Sequence, residues 1–324
     1  MPQFGPCFTQ AQLDGIAGWI EAGALNTDAA PWLAAPGCQP LRCGVMPGLR
    51  ERFAALVASP SCTLDRAALE IARIGHPDLD PTPTLQDLDA LADGLRPRLP
   101  RGAAAATAAR LLASHLFEAC GFRGNRADYY DPRNSFLNDV VERRTGIPIS
   151  LSVLAIEVGR RLDIPIEGVG FPGHFLVRVA GPGSPLLLDC FRGGAPVEAD
   201  ELLTRLRSLS ETSSGPDFTQ VPPRFLEGTP TAGILARMLR NLLRIYLEKR
   251  APAQALAAVD LLLVLTPRSA DDLRTRARLY EALECFASAA DDLRRYLALA
   301  PRADDAPEVR KTLERLSADA PTLH

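Results

Sequence analysis

Three side-chain types in this 324-residue chain stand where they could carry acyl-transfer chemistry: a serine, a histidine and an aspartate. In Gly146-Ile-Pro-Ile-Ser-Leu-Ser152, Pro148 suits the first turn of a helix, so Ser150 and Ser152 fall in that turn. A nucleophile there lies in the positive end of the helix dipole, beside free backbone N–H groups that suit an oxyanion. The same position also suits a serine that merely caps the helix, and spacing alone favours the cap. His174, in Phe171-Pro-Gly-His174, opens a strand-like segment, and Asp189 ends the next one. A hairpin centred near residues 182 and 183 sets Asp189 opposite Leu176 and leaves His174 one diagonal step away on the same face. A one-residue slip would separate them. A carboxylate behind a histidine fixes its tautomer and steadies its charged form, whereas a strand histidine satisfied by backbone is the plainer alternative.

The elements that must position these groups follow from periodicity. Ile149–Leu162 reads as a helix apolar over most of its circumference, hence central and buried. Strand-like runs at Ile166–Phe171, Phe175–Ala180 and Leu186–Cys190 are bounded by Pro172-Gly173 and Gly181-Pro-Gly183, predicting a small antiparallel sheet after the helix. Ahead of it, Ala67–Ile74, a segment capped by Thr84, Ala103–Cys120 ending at Gly121, and Asn134–Arg144 read as helices. Glu157 and Arg161 form an i, i+4 pair that holds the central helix in place.

The C-terminal part repeats. Tyr246 and Tyr280, Pro267 and Pro301, Ala253 and Ala287, and Ala255 and Ala289 are each 34 apart. That is the period of tetratricopeptide (TPR) helix-turn-helix repeats, although the glycine of the usual turn is missing. Pro307–Leu316 reads as a capping helix. The domain reading is an N-terminal helical or irregular extension over 1–50, a helical region and core over 51–207, a linker over 208–230, and helical repeats over 231–324.

Composition narrows the classes. A net charge of −3 argues against a nucleic-acid partner, and the 34 arginines against two lysines read as coding bias. Seven cysteines without a CxxC pair argue against a zinc site or a disulfide framework and for reduced thiols. Neither a signal peptide nor a membrane-spanning run is visible, since the apolar stretch Leu256–Leu265 is short and contains Asp260. A cytoplasmic protein is expected, with no metal or organic cofactor.

The stretch Tyr129-Tyr-Asp-Pro-Arg-Asn-Ser-Phe-Leu-Asn138 resembles the SirB-type family of transglutaminase-like proteins, as do Arg143-Arg-Thr-Gly-Ile-Pro-Ile-Ser150, Glu157-Val-Gly-Arg-Arg161 and Gly168-Val-Gly-Phe-Pro-Gly-His174. The resemblance implies an α+β fold. A helical N-terminal region would precede a papain/transglutaminase-like core with a small antiparallel sheet, and an all-α TPR-like domain would follow. Catalytic members of that superfamily carry Cys, His and Asp. Here His174 and Asp189 match the last two, while the cysteine position falls on Ser150, or less well on Ser152. A thiol beside histidine and a helix N-terminus ionises readily, and a serine hydroxyl does not. Cys190 follows Asp189, but strand alternation turns it to the opposite face. Asn138 either donates to an oxyanion or caps a loop, and Tyr130 either lines a cleft or packs on the core.

Three functions follow. The first is a pseudoenzyme scaffold that binds a protein or peptide through the core cleft and the TPR tail. The second is a hydrolase or acyl transferase using a Ser150–His174–Asp189 triad, with Asn138, Ser152 and Tyr130 supporting the cleft. The third is a nucleic-acid-associated regulator.

Overall fold

The computed structural model describes residues 46, 48–179, 185–211 and 218–319. The expected extension over 1–50 lies outside them except for residues 46 and 48–50, as do the Gly181-Pro-Gly183 turn and residues 212–217 of the expected linker. The chain divides into two compact units, one built on Leu56–Met238 and the other from Leu239 onward, with the described residues before Leu56 belonging to the second.

Helices α1 (Leu49–Ala58), α2 (Leu64–Ala72), α3 (Thr82–Leu95), α4 (Ala105–Ala113), α5 (Leu137–Arg143) and α6 (Pro148–Arg161) come first, and a π-helical turn, Ser114–Ala119, extends α4. Helix α3, the segment expected to be capped by Thr84, starts at Thr82 with Pro83 in its first turn, so Thr84 is an early helical residue and not the cap. Two-residue strands β1 (Arg123–Gly124) and β2 (Thr145–Gly146) pair in parallel. Strands β3 (Ile166–Val169), β4 (Leu176–Val179), β5 (Leu186–Asp189) and β6 (Ala195–Pro196) then form an antiparallel meander, and α7 (Ala199–Glu211) follows.

Helix α6 is the axis of this unit. Leu151, Val153, Leu154 and Val158 are wholly buried, and α2–α5 together with β3 and β4 enclose the helix. Each such side chain contributes about 1.5–3 kcal/mol of burial. Its C-terminal turn is pinned by charge. Arg161 donates to Asp65 on α2 at 2.7 Å, to Asp89 on α3 at 2.6 Å and to Glu157 at 3.1 Å. Within the segment expected as a linker, residues 218–230 pack on this core. Phe225 is buried edge-on against Phe171 and Phe218, and Arg178 donates to Leu226 O at 2.9 Å.

The second unit is helical: α8 (Thr231–Glu248) leads into it, followed by α9 (Pro252–Leu265), α10 (Ala270–Ala282), α11 (Phe286–Leu299) and α12 (Ala306–Asp319). The repeat is visible in its contacts. Arg240 pairs with Asp272 at 3.0 Å, and Arg274, 34 residues on, pairs at 2.7 Å with Asp305, which lies 33 residues after Asp272. The turns after α8 and α10 place Arg250 and Glu284, also 34 apart, at φ 55 and 59. These left-handed residues stand where the missing glycine of the usual turn would serve. No described helix is long and apolar enough to cross a membrane. Among the described residues, Cys62, Cys120 and Cys190 carry free thiols and Cys285 is disulfide-bonded.

Candidate functional site

His174 sits in the turn before β4 and not in the strand itself. Pro172 and Gly173 occupy the turn's central positions, Gly173 with φ +68, and the His174 amide closes it on Phe171 O at 3.0 Å. β4 and β5 pair Val177 with Leu188, so Asp189 continues the register opposite Leu176 and faces the turn carrying His174. His174 Nε2 and Asp189 Oδ2 are 2.8 Å apart, with the side chains 9% and 1% exposed. An ionised carboxylate can only accept, so Nε2 donates and Asp189 Oδ2 accepts.

Asp189 is the most heavily bonded group of the site. Oδ1 accepts from the amides of Phe191 (3.0 Å) and Arg192 (3.2 Å), and Oδ2 accepts from Arg192 Nε (2.9 Å) as well as from His174. Burial would push its carboxyl up, but the hydrogen bond and charge of His174 and the charge of Arg192 outweigh this and hold it below the ordinary value.

Ser150 occupies the third position of α6 and is 0% exposed. Its Oγ accepts from Ile147 N at 3.0 Å and donates to Asn134 O at 2.5 Å. That uses its one proton and one lone pair on backbone. A Cβ at Gly146 would stand 2.7 Å from Oγ, so only glycine leaves the hydroxyl this seat. Among the described residues no hydrogen bond joins Ser150 to His174. The structure thus brings His174 and Asp189 together and engages Ser150 with main chain. Ser152 is also buried and donates back to Pro148 O at 2.8 Å. It contacts the Cys190 thiol, which burial first and the Asp189 charge second push up to about 12.

Asn138 is half-buried at the start of α5, and its Oδ1 meets no hydrogen-bond donor. Tyr130 is 37% exposed and ends an aromatic run: it meets Tyr129 edge-on, Tyr129 meets Phe191, and Arg126 lies over the Phe191 ring. Gly124 allows this, since a Cβ there would approach Phe191 to 2.4 Å. No group of three or more His, Cys, Asp or Glu side chains among the described residues could hold a metal ion.

Three residues of the site escape sequence reasoning. Asn134, wholly buried, takes the Ser150 proton on its carbonyl, while its side-chain amide holds Asp128 O at 2.7 Å and Tyr129 O at 3.3 Å. Arg192 braces Asp189, and Arg237 reaches the His174 turn from α8. The arginines carry no local signal in a chain with 34 of them. Asn134 stands within the quoted motif but is distinguished only by its contacts.

A family model described as transglutaminase-like superfamily matches residues 82–240, and a tetratricopeptide repeat model matches residues 242–314. A UPF0162 protein of Xylella fastidiosa (strain Temecula1) is 38% identical over 270 residues, covering 83% of this chain and 95% of that protein. A UPF0162 protein of Pseudomonas aeruginosa is 35% identical over 260 residues, covering 80% and 91%. F-box only protein 21 of Mus musculus is 46% identical over 76 residues, which is 24% of this chain and 12% of that protein. No solved structure matches the chain. Near-full-length likeness, joined to a transglutaminase-like core and TPR helices in this order, means that the chain belongs to the UPF0162 family.

Proposed function

We propose that this protein is a non-catalytic transglutaminase-like scaffold of the SirB type, which binds a protein or peptide through the face around His174 and through its TPR helices. The observation that carries this reading is the seat of Ser150: buried, with its proton on Asn134 O and its lone pair on Ile147 N. A hydroxyl so placed has no access to substrate, and to act as a nucleophile it would first have to break both bonds. TPR pairs commonly present a concave surface to peptides, which supports the second half of the reading.

A fluorophosphonate probe tests it, applied to the wild type, Ser150→Ala and His174→Ala. The expected result is no labelling of any of the three, with Ser150→Ala and the wild type retaining the same proteins on an affinity column. Labelling that requires both Ser150 and His174 would establish instead a Ser–His–Asp hydrolase or acyl transferase. That second reading is favoured by the His174–Asp189 pair, whose carboxylate accepts four hydrogen bonds in the arrangement a general base needs.

A further inference from the structure

The stretch Thr229–Arg237 bonds the backbone of the turn that carries His174 and of the two glycines that lead into it. Thr229 Oγ1 accepts from Gly170 N at 2.9 Å, and Thr229 N donates to Gly168 O at 2.7 Å. Arg237 Nη2, on the second turn of α8, donates to Phe171 O at 3.1 Å and to His174 O at 2.6 Å. Its guanidinium lies 5.4 Å from the centre of the Phe175 ring, the next residue. The approach is close along the whole strip, for a Cβ at Gly170 would stand 3.2 Å from Thr229 Oγ1 and 3.3 Å from Arg237 Nη1.

These contacts are not needed to make the turn. The Pro172-Gly173 pair and the bond from His174 N to Phe171 O already close it. The β4–β5 register already sets the turn opposite Asp189, and the turn's finer seat decides whether the imidazole comes within 2.8 Å of the carboxylate. Enclosing a guanidinium here is costly: burial pushes Arg237 down to about 10, only partly opposed by Tyr129, and it remains charged at neutral pH. The enclosed guanidinium bonds the carbonyls of both Phe171 and His174, the two ends of the turn, so its position and theirs are linked.

The geometry points to Thr229 and Arg237 as positioning residues for His174: they seat the Phe171–His174 turn so that the imidazole meets the Asp189 carboxylate, and the pair stays assembled only while the start of α8 stays seated. This rests on the reading that the His174–Asp189 pair belongs to the functional face, and it adds what keeps that pair together.

Proton NMR of the full chain tests it, because the chain has only four histidines. In the wild type the His174 Nε2–H, shared with Asp189, gives a downfield, slowly exchanging resonance, assigned by its absence in His174→Gln. The His76–Asp139 pair, also at 2.8 Å, is the internal reference. Arg237→Ala and Thr229→Ala are expected to lose the His174 resonance while the His76 resonance stays. Arg237→Lys is expected to keep both, since one ammonium can donate to both carbonyls. Retention of the His174 resonance in both alanine variants would overturn the assignment. Should Arg237→Ala not fold, Thr229→Ala decides alone, loss supporting the assignment and retention overturning it. Fluorophosphonate labelling or altered partner capture bears on what the face does and leaves this resonance where it is, so the two failures are distinguishable.

Discussion

The carboxylate of Asp189 meets the imidazole of His174 at 2.8 Å with one oxygen and holds the Phe191 and Arg192 amides with the other. The two oxygens do different things. Oδ1 shapes the 3-10 turn Cys190–Arg192, and Oδ2 orients the histidine. The pair therefore has a structural use whether or not a nucleophile stands in front of it. This explains how a site without the thiol can keep its histidine and aspartate.

The pH dependence of stability follows from that carboxyl. Its folded pKa lies below 3.8, so its contribution is present in full above 3.8 and is lost as pH falls through the lowered native value. Asp189→Asn should cost about 1–3 kcal/mol at neutral pH, the range for an unpaired buried group. Urea denaturation at several pH values should show the gap to wild type closing below 3.8. A gap that stays constant into that acid range would show that the charge of Asp189 has no part in it.

Cys190 adjoins Asp189 but offers no substitute for the missing thiol. Raised to about 12 and fully enclosed, it carries almost no thiolate at neutral pH. Iodoacetamide on the native protein, read by peptide mass spectrometry, should modify the half-buried Cys62 and Cys120 and spare Cys190 until urea is added. Native labelling of Cys190 at the rate of Cys62 would contradict this account.

The fold was legible where the signals are local. Helix α6 betrays itself by apolar residues on nearly every side. The β4–β5 register was readable because Pro172-Gly173 fixes where β4 starts and the glycine–proline cluster marks the hairpin's centre. The repeat offset survives because identical residues mark it. The missed features depend on distant partners or on very short elements. Ser150 is tied to a carbonyl 16 residues away, and Arg237 to one 63 residues away. β1 and β2 have two residues each, too few to show alternation. The Thr84 cap fails because Pro83, which is compatible with a first helical turn, lets the helix begin earlier.

Two buried carboxylates brace the end of α6 with opposite signs. Burial pushes Asp65 up, but the Thr63 hydroxyl and Arg161 more than offset this, so its charge stabilises the fold. Glu157 is pushed up by burial and then by Asp65, so its charge is the one the fold tolerates less. Asp65→Asn should therefore cost about 3–5 kcal/mol, as breaking a buried ion pair does. Glu157→Gln should cost clearly less at neutral pH. A raised folded pKa contributes below the ordinary value and loses as pH rises, so Glu157→Gln should improve relative to wild type above 4.5. Urea titrations of both variants at acid and neutral pH give the comparison; equal costs at neutral pH would reject the assignment.

The repeat unit carries a correctable strain. Glu284 is exposed and held at φ 59, a conformation that costs an L-residue about 1–2 kcal/mol. Glycine removes that cost, while its greater freedom in the unfolded chain takes back about 0.4–1 kcal/mol. Glu284→Gly should therefore leave the protein more stable by about half to one kcal/mol, measured as a higher urea midpoint with an unchanged slope. Because Arg250 occupies the equivalent turn 34 residues earlier, the effect reports on the repeat itself, whose connection normally uses glycine. A lower midpoint would mean that the Glu284 side chain contributes more than its backbone costs, and that this turn has been rebuilt around a residue other than glycine.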